Sequence, residues 1–119
     1  MTKYKLLNEE IVTKLIDICG ANNVIYQDPE ALKAYSHDEI PGTQYRQMPE
    51  AVVRPQSTAE VSEIMRLANQ ECIPVTPRGA GSGLSGGAVP VYGGIVLATD
   101  RMNKIVDFDK NNMMITVQP

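Results

Sequence analysis

The 119 residues include no tryptophan, one phenylalanine and one histidine, so any proton-transfer or nucleophilic scheme has a single imidazole, His37, to draw on. Only two cysteines are present. Cys19 and Cys72 stand far apart and form no CxxC pair, so neither a zinc site nor a redox dithiol is indicated, and two reduced thiols are expected. No apolar run comes near the roughly 18 residues that a membrane span needs. Met1-Thr2-Lys3-Tyr4-Lys5 leads into a polar amphipathic segment and has no signal-peptide character, which points to the cytoplasm. Positive charge is also in short supply, with 11 Lys and Arg against 14 Asp and Glu. With a formal charge of −3 and no offsetting basic face, nucleic acid is not an expected partner.

What remains is the composition of an ordinary soluble domain, 43% hydrophobic and 21% charged. At this length it is one domain at most. Glycine is distributed unevenly. Five of the nine glycines fall in Pro77-Arg78-Gly79-Ala80-Gly81-Ser82-Gly83-Leu84-Ser85-Gly86-Gly87, where Arg78 is the only charged side chain. Glycine admits positive φ and close approach to the backbone, so successive N–H groups can converge on an oxyanion. A flexible linker would be richer in Ser and Gly, without the Pro-Arg entry and the apolar flanks.

Along the chain, Asn8 to Cys19 reads as a helix with Ile11, Val12, Leu15, Ile16 and Cys19 on one face and Gly20 to end it. Asp28-Pro29 caps a second short helix reaching about Tyr35. Ser36 to Met48 has no clear period and reads as a loop. Ala51-Val52-Val53 is a short apolar strand. Ser57 and Glu60 form a capping box for a helix that buries Val61, Ile64, Met65 and Ala68. Ile73 to Thr76 is the next strand and delivers the chain into the glycine loop. This predicts a β-α-β unit with a parallel pair, placing the loop at a strand's carboxyl end, where open α/β sheets bind ligands. Gly94 to Thr99 reads as a buried strand. Lys104 to Phe108 and Met113 to Gln118 read as a hairpin around Asp109-Lys110-Asn111-Asn112. That hairpin would leave an open edge, so the chain is expected to be the first part of a larger protein.

Three motifs overlap in the loop, and each lacks its context. Gly81-x-Gly83-x-x-Gly86 fits the dinucleotide fingerprint, which requires a helix after the last glycine. Pro90, Gly93 and Gly94 forbid that helix. Gly83-Leu84-Ser85-Gly86-Gly87 fits the nucleophile elbow, but the helix is again missing and His37 lies upstream. Ser85 is therefore read as a hydroxyl that hydrogen-bonds a loop or ligand oxygen. A Walker A loop fails because Gly87 stands where lysine is required. A strand-loop-strand anion cradle survives, built from the N–H groups of Gly79 to Leu84 with the Ser82 and Ser85 hydroxyls assisting.

Several spaced segments then carry a resemblance. Pro49-Glu50-Ala51-Val52-Val53-Arg54-Pro55, Ser57-Thr58-Ala59-Glu60-Val61, the run from Ile73 to Gly87, and Met102-Asn103-Lys104-Ile105 follow in order. Together they resemble the N-terminal half of the FAD-binding domain of FAD-linked oxidases of the vanillyl-alcohol oxidase/p-cresol methylhydroxylase type. The branch is that of glycolate oxidase FAD subunits and D-lactate dehydrogenases, and Tyr35-Ser36-His37-Asp38 fits it as well. The resemblance implies an α/β (α+β) fold, with residues 1–48 as an N-terminal helical extension and 49–119 as the first, incomplete subdomain. It implies that the FAD pyrophosphate is bound by Arg78, Gly79, Ala80, Gly81, Ser82, Gly83, Leu84, Ser85 and Gly86, with Pro55 near the cofactor. Some relatives attach FAD through a loop histidine, but Ser82 stands at about that position here, so FAD is expected to be non-covalent. The implied activity is oxidation of a small 2-hydroxy acid such as glycolate or D-lactate. The resemblance leaves a quinone, an iron–sulfur partner or an electron-transfer flavoprotein open as electron acceptor, and the open sheet edge would serve a homodimer. The family's ring-contacting and substrate-binding segments lie beyond residue 119, so no catalytic residue is assigned. The alternative is a fragment that folds and self-associates without binding flavin.

Overall fold

A computed structural model describes residues 3–119, and two sheets organise it. The larger is built on β2 (Ala51–Val53) and β4 (Ile95–Ala98), whose seven residues are all buried. Such uninterrupted apolar strands belong in the middle of a sheet covered on both faces. On one face Ala51, Val53, Ile95 and Leu97 meet α1 (Glu9–Cys19) and α3 (Thr58–Glu71) through Ile11, Leu15, Ile64 and Leu67. On the other, Val52, Val96 and Ala98 pack with Leu32 of α2 (Pro29–Lys33), Ile25 and Tyr35.

The sheet order is β1-β2-β4-β3, with β1 (Val24–Tyr26) antiparallel to β2, and β2, β4 and β3 (Val75–Arg78) parallel. The expected β-α-β unit is present as β2-α3-β3, but its two parallel strands are not neighbours. β2 and β3 run parallel, but β4 lies between them, with Val52 and Thr76 both paired to Val96. Parallel neighbours require a connection that returns the length of the sheet. Residues 79–94 make that return between β3 and β4 without a helix, burying Val89 and Pro90 on the way. The glycine segment is thus the first half of a crossover.

Other boundaries moved for local reasons. β3 starts at Val75, since Cys72 is left-handed (φ 54°) and the Ile73 N–H still bonds the Ala68 carbonyl to finish α3. Pro77 is tolerated within it because β3 is an edge strand with one partner. Met65 was expected inside but is 46% exposed. The helix instead turns Ile64, Leu67 and Ala68 inward, leaving Met65 on the flank. α2 stops at Lys33, as the Tyr35 and Ser36 N–H groups bond Leu32 and Lys33 in a tightened last turn and send the Tyr35 ring into the core.

β5 (Ile105–Asp109) and β6 (Met114–Val117) form the smaller sheet, a hairpin paired only to itself. Phe108 opposes Ile115 and Ile105 opposes Val117, with a register shift between Ile105 and Asp107. Alternation puts Ile105, Phe108, Ile115 and Val117 on one face, and all four are more than half exposed.

Candidate functional site

The loop leaves β3 at the carboxyl end of the parallel strands, the side on which open α/β sheets bind ligands. Its first residue is tied by the Thr99 N–H, which donates to the Arg78 carbonyl at 2.9 Å. The Arg78 side chain turns back over the loop. Its Nη1 donates to the His37 carbonyl at 2.7 Å, and its guanidinium lies 5.4 Å above the Tyr35 ring. Gly81 sits beneath it with φ 70°, where an added Cβ would run into the guanidinium. Further along, the Glu39 N–H donates to the Gly83 carbonyl at 2.9 Å. Asp38, 5% exposed, accepts from the N–H groups of Gly86 at 2.8 Å and Ile40 at 2.9 Å.

Between these anchors the backbone is open to solvent. Among the described residues, the N–H groups of Gly79, Ala80, Gly81, Ser82, Gly83, Leu84 and Ser85 meet no protein acceptor. All but Gly81 are solvent-exposed, so these donors are open to water or to a ligand, and an oxyanion is a group that such a run of N–H donors could take. The Ser82 and Ser85 side chains are exposed beside it, as is Leu84. A cleft of about 380 Å³ lies at one end, lined by Ile40, Tyr45, Arg46, Ser85, Gly86 and Val89. A second of about 330 Å³ lies at the other end, lined by Gly79, Ala80, Thr99, Met102, Asn103 and Lys104. The first has one cationic side chain on its wall, Arg46, and the second carries Lys104 together with the Asp100 carboxylate.

Of the residues singled out from sequence, Arg78 to Gly86 are brought together by this one loop. Within it, Arg78 spends its guanidinium on Tyr35 and His37, and the Gly86 N–H is taken by Asp38. Pro55 stands apart from the loop. It is fully buried at the end of β2, which β4 separates from β3. His37 bonds Ser36 Oγ at 3.1 Å through Nδ1 and makes no hydrogen bond to Ser85. Sequence reasoning missed the fastening role of Asp38 and its neighbours, because the sequence separation of 48 between Asp38 and Gly86 hides the contact. The one pointer was its place in the Tyr-Ser-x-Asp segment.

Arg54 and Asp100, following β2 and β4, close the same end of the sheet with Nη2–Oδ2 and Nε–Oδ2 separations of 2.5 and 3.0 Å. The Arg54 hydrogen bond holds the Asp100 carboxyl below its usual range. A depressed carboxylate stabilises the fold fully above its unfolded pKa, and the contribution is lost as pH falls through the folded value. Both partners are partly exposed, so its size should be at most about 1 kcal/mol. Acid titration of the melting temperature should show wild type losing this increment below the ordinary aspartate range. Asp100→Asn should lack it at all pH values, and identical acid profiles would remove the assignment.

The FAD binding domain family matches residues 49–119. Glycolate oxidase subunit GlcD of Bacillus subtilis is 37% identical over 115 residues, covering 96% of this chain and 24% of that protein. D-lactate dehydrogenase of Anaerostipes hadrus is 36% identical over 116 residues, covering 98% and 24%. Among solved structures, p-cresol methylhydroxylase with substrate bound superimposes with a TM-score of 0.74 at 26% identity, over 86% of this chain and 20% of that one. The chain thus spans about a quarter of the length of the curated relatives it matches.

Proposed function

This chain belongs to the FAD binding domain family, and from that premise we propose that residues 77–87 hold the pyrophosphate of non-covalently bound FAD. The observation that carries the reading is the run of seven unpaired N–H groups, Gly79 to Ser85, fixed between two clefts. The pyrophosphate would be received by these amides, with the Ser82 and Ser85 hydroxyls adding neutral hydrogen bonds. Arg78 acts by holding the loop open, and the Gly86 amide stays on Asp38. A dinucleotide extends in both directions from its pyrophosphate, and a cleft lies at either end of the loop. Pro55, being buried, would support the strand end near the cofactor without touching it.

In this reading residues 49–119 are the first subdomain of a larger cytoplasmic oxidoreductase, and the N-terminal extension 1–48 adds β1 to its sheet and α1 to its core. The longer protein would act on a small 2-hydroxy acid, as the names of the glycolate oxidase and D-lactate dehydrogenase relatives suggest. It would deliver the reducing equivalents to an iron–sulfur or electron-transfer flavoprotein partner. Bound FAD supplies the two-electron redox chemistry, while this chain supplies binding and electrostatic positioning.

A FAD titration of the purified chain, followed by flavin absorbance and fluorescence, tests the reading. Saturable binding with FAD released on denaturation is expected. Ser85→Ala should weaken binding by about 0.5–1.5 kcal/mol, the range for a neutral hydrogen bond. Complete loss in that variant would contradict a merely assisting role. A second reading, self-association without flavin, is favoured by the uncovered apolar face of the hairpin. A sedimentation coefficient that rises with concentration, with no flavin bound, would select it.

A further inference from the structure

The matched family region begins at residue 49, yet the fastenings of the glycine loop come from residues 35–40. Asp38 is central to them. Its two carboxylate oxygens take two main-chain amides, Oδ1 the local one of Ile40 and Oδ2 the distant one of Gly86. Among the described residues no cation pairs with it. A buried carboxylate balanced only by amides is a costly way to make a pin, since an uncharged acceptor of the same size would incur less desolvation. Its charge has a geometric consequence. The run of free amides stops at Ser85 because the next one, on Gly86 with φ 76°, is already turned onto Asp38. The same Oδ2 lies 3.7 Å from where a Gly83 Cβ would stand, so its charge repels a second anion across the Gly83–Gly86 end and favours a bound phosphate nearer Gly79.

We propose that Asp38 is a positioning residue for the cofactor cradle: it withdraws the Gly86 amide, fixes that glycine's left-handed turn and sets the boundary of the anion site. The proposal rests on the reading of the loop as a pyrophosphate receptor. It makes the segment Tyr35–Ile40, outside the matched region, part of the affinity for FAD.

The test combines amide hydrogen exchange by NMR with FAD titration, on wild type, Asp38→Ala and Asp38→Asn. In wild type the Gly86 amide should exchange at least tenfold more slowly than the free amides of Gly79 to Ser85. Asp38→Ala should erase that difference and weaken FAD binding about tenfold or more, while the amides of Val52 and Val96 stay as slow as before. Asp38→Asn keeps one acceptor oxygen and should fall between the two, and it stands in if the alanine variant does not fold. Native core protection with FAD affinity within twofold of wild type in both variants would overturn the proposal. So would a Gly86 amide that exchanges in wild type as fast as its neighbours. If wild type binds no FAD, the cofactor reading fails for this chain. The Gly86 exchange rates then decide separately whether Asp38 fastens the loop.

Discussion

Gly81→Val should remove FAD binding while leaving the fold intact. Gly81 has φ 70°, a region that costs an L-residue about 1–2 kcal/mol and a β-branched one more. The added side chain would also strike the Arg78 guanidinium. Because that group is the end of a flexible side chain it can move, but in moving it gives up the His37 carbonyl and the Tyr35 ring. Either the backbone flips or the arginine leaves, and the neighbouring amides lose their common direction in both cases. Hydrogen bonds to charged groups contribute about 1.5–3 kcal/mol each, so losing two of them predicts at least about a hundredfold weaker binding. The loop lies outside the core clusters, so melting should shift by only a few degrees. Retained flavin affinity in a folded Gly81→Val protein would end the cradle hypothesis.

Gly94→Ala should have the opposite profile, a severe loss of stability wherever the ligand binds. Gly94 enters β4 with φ 66°, and an added Cβ would collide with the backbone carbonyl oxygen of Pro74 and press on its ring, 2.6 Å from Cγ. Unlike Arg78, a strand backbone cannot step aside. The same residue is a junction: its carbonyl accepts from the Glu50 and Ala51 N–H groups, and its own N–H donates to Glu50 Oε2 at 3.1 Å. The other oxygen of Glu50 accepts from the Leu7 N–H, linking the N-terminal segment to the sheet. Strain and overpacking together should cost on the order of 2–5 kcal/mol, a large share of a typical domain's stability. Denaturant unfolding measures it directly, and a variant within about 1 kcal/mol of wild type would show that β4 enters the sheet differently.

Elements with a strong local signal were readable in advance. The helix after Asn8, the Ser57 cap of α3, the buried strands at 51–53 and 95–98 and the hairpin turn at Asp109 all follow from neighbours a few residues apart. β1 was missed because three half-buried residues carry no period, and its pairing to β2 is a tertiary fact. The position of β4 between β2 and β3 was equally hidden, since strand order is set by packing on α1 and α3 and leaves no local mark. At the site, glycine content located the loop, where Gly81 and Gly86 take positive φ. The clasp from Tyr35 to Ile40 was not legible, because a carboxylate bonding a distant amide looks in sequence like any other aspartate.

The strand order also dictates how the chain can be assembled. During synthesis β2 and β3 emerge long before the strand that joins them, and neither can pair on its inner edge until Ala98 is available. Until then a fully apolar strand, Ala51-Val52-Val53, waits with an open edge, the state in which nascent chains associate wrongly. The glycine-rich crossover keeps this interval open, because a long flexible connection must close before the central strand is held. The segment proposed to receive the cofactor is, on this topology, also expected to be the last link closed in the sheet.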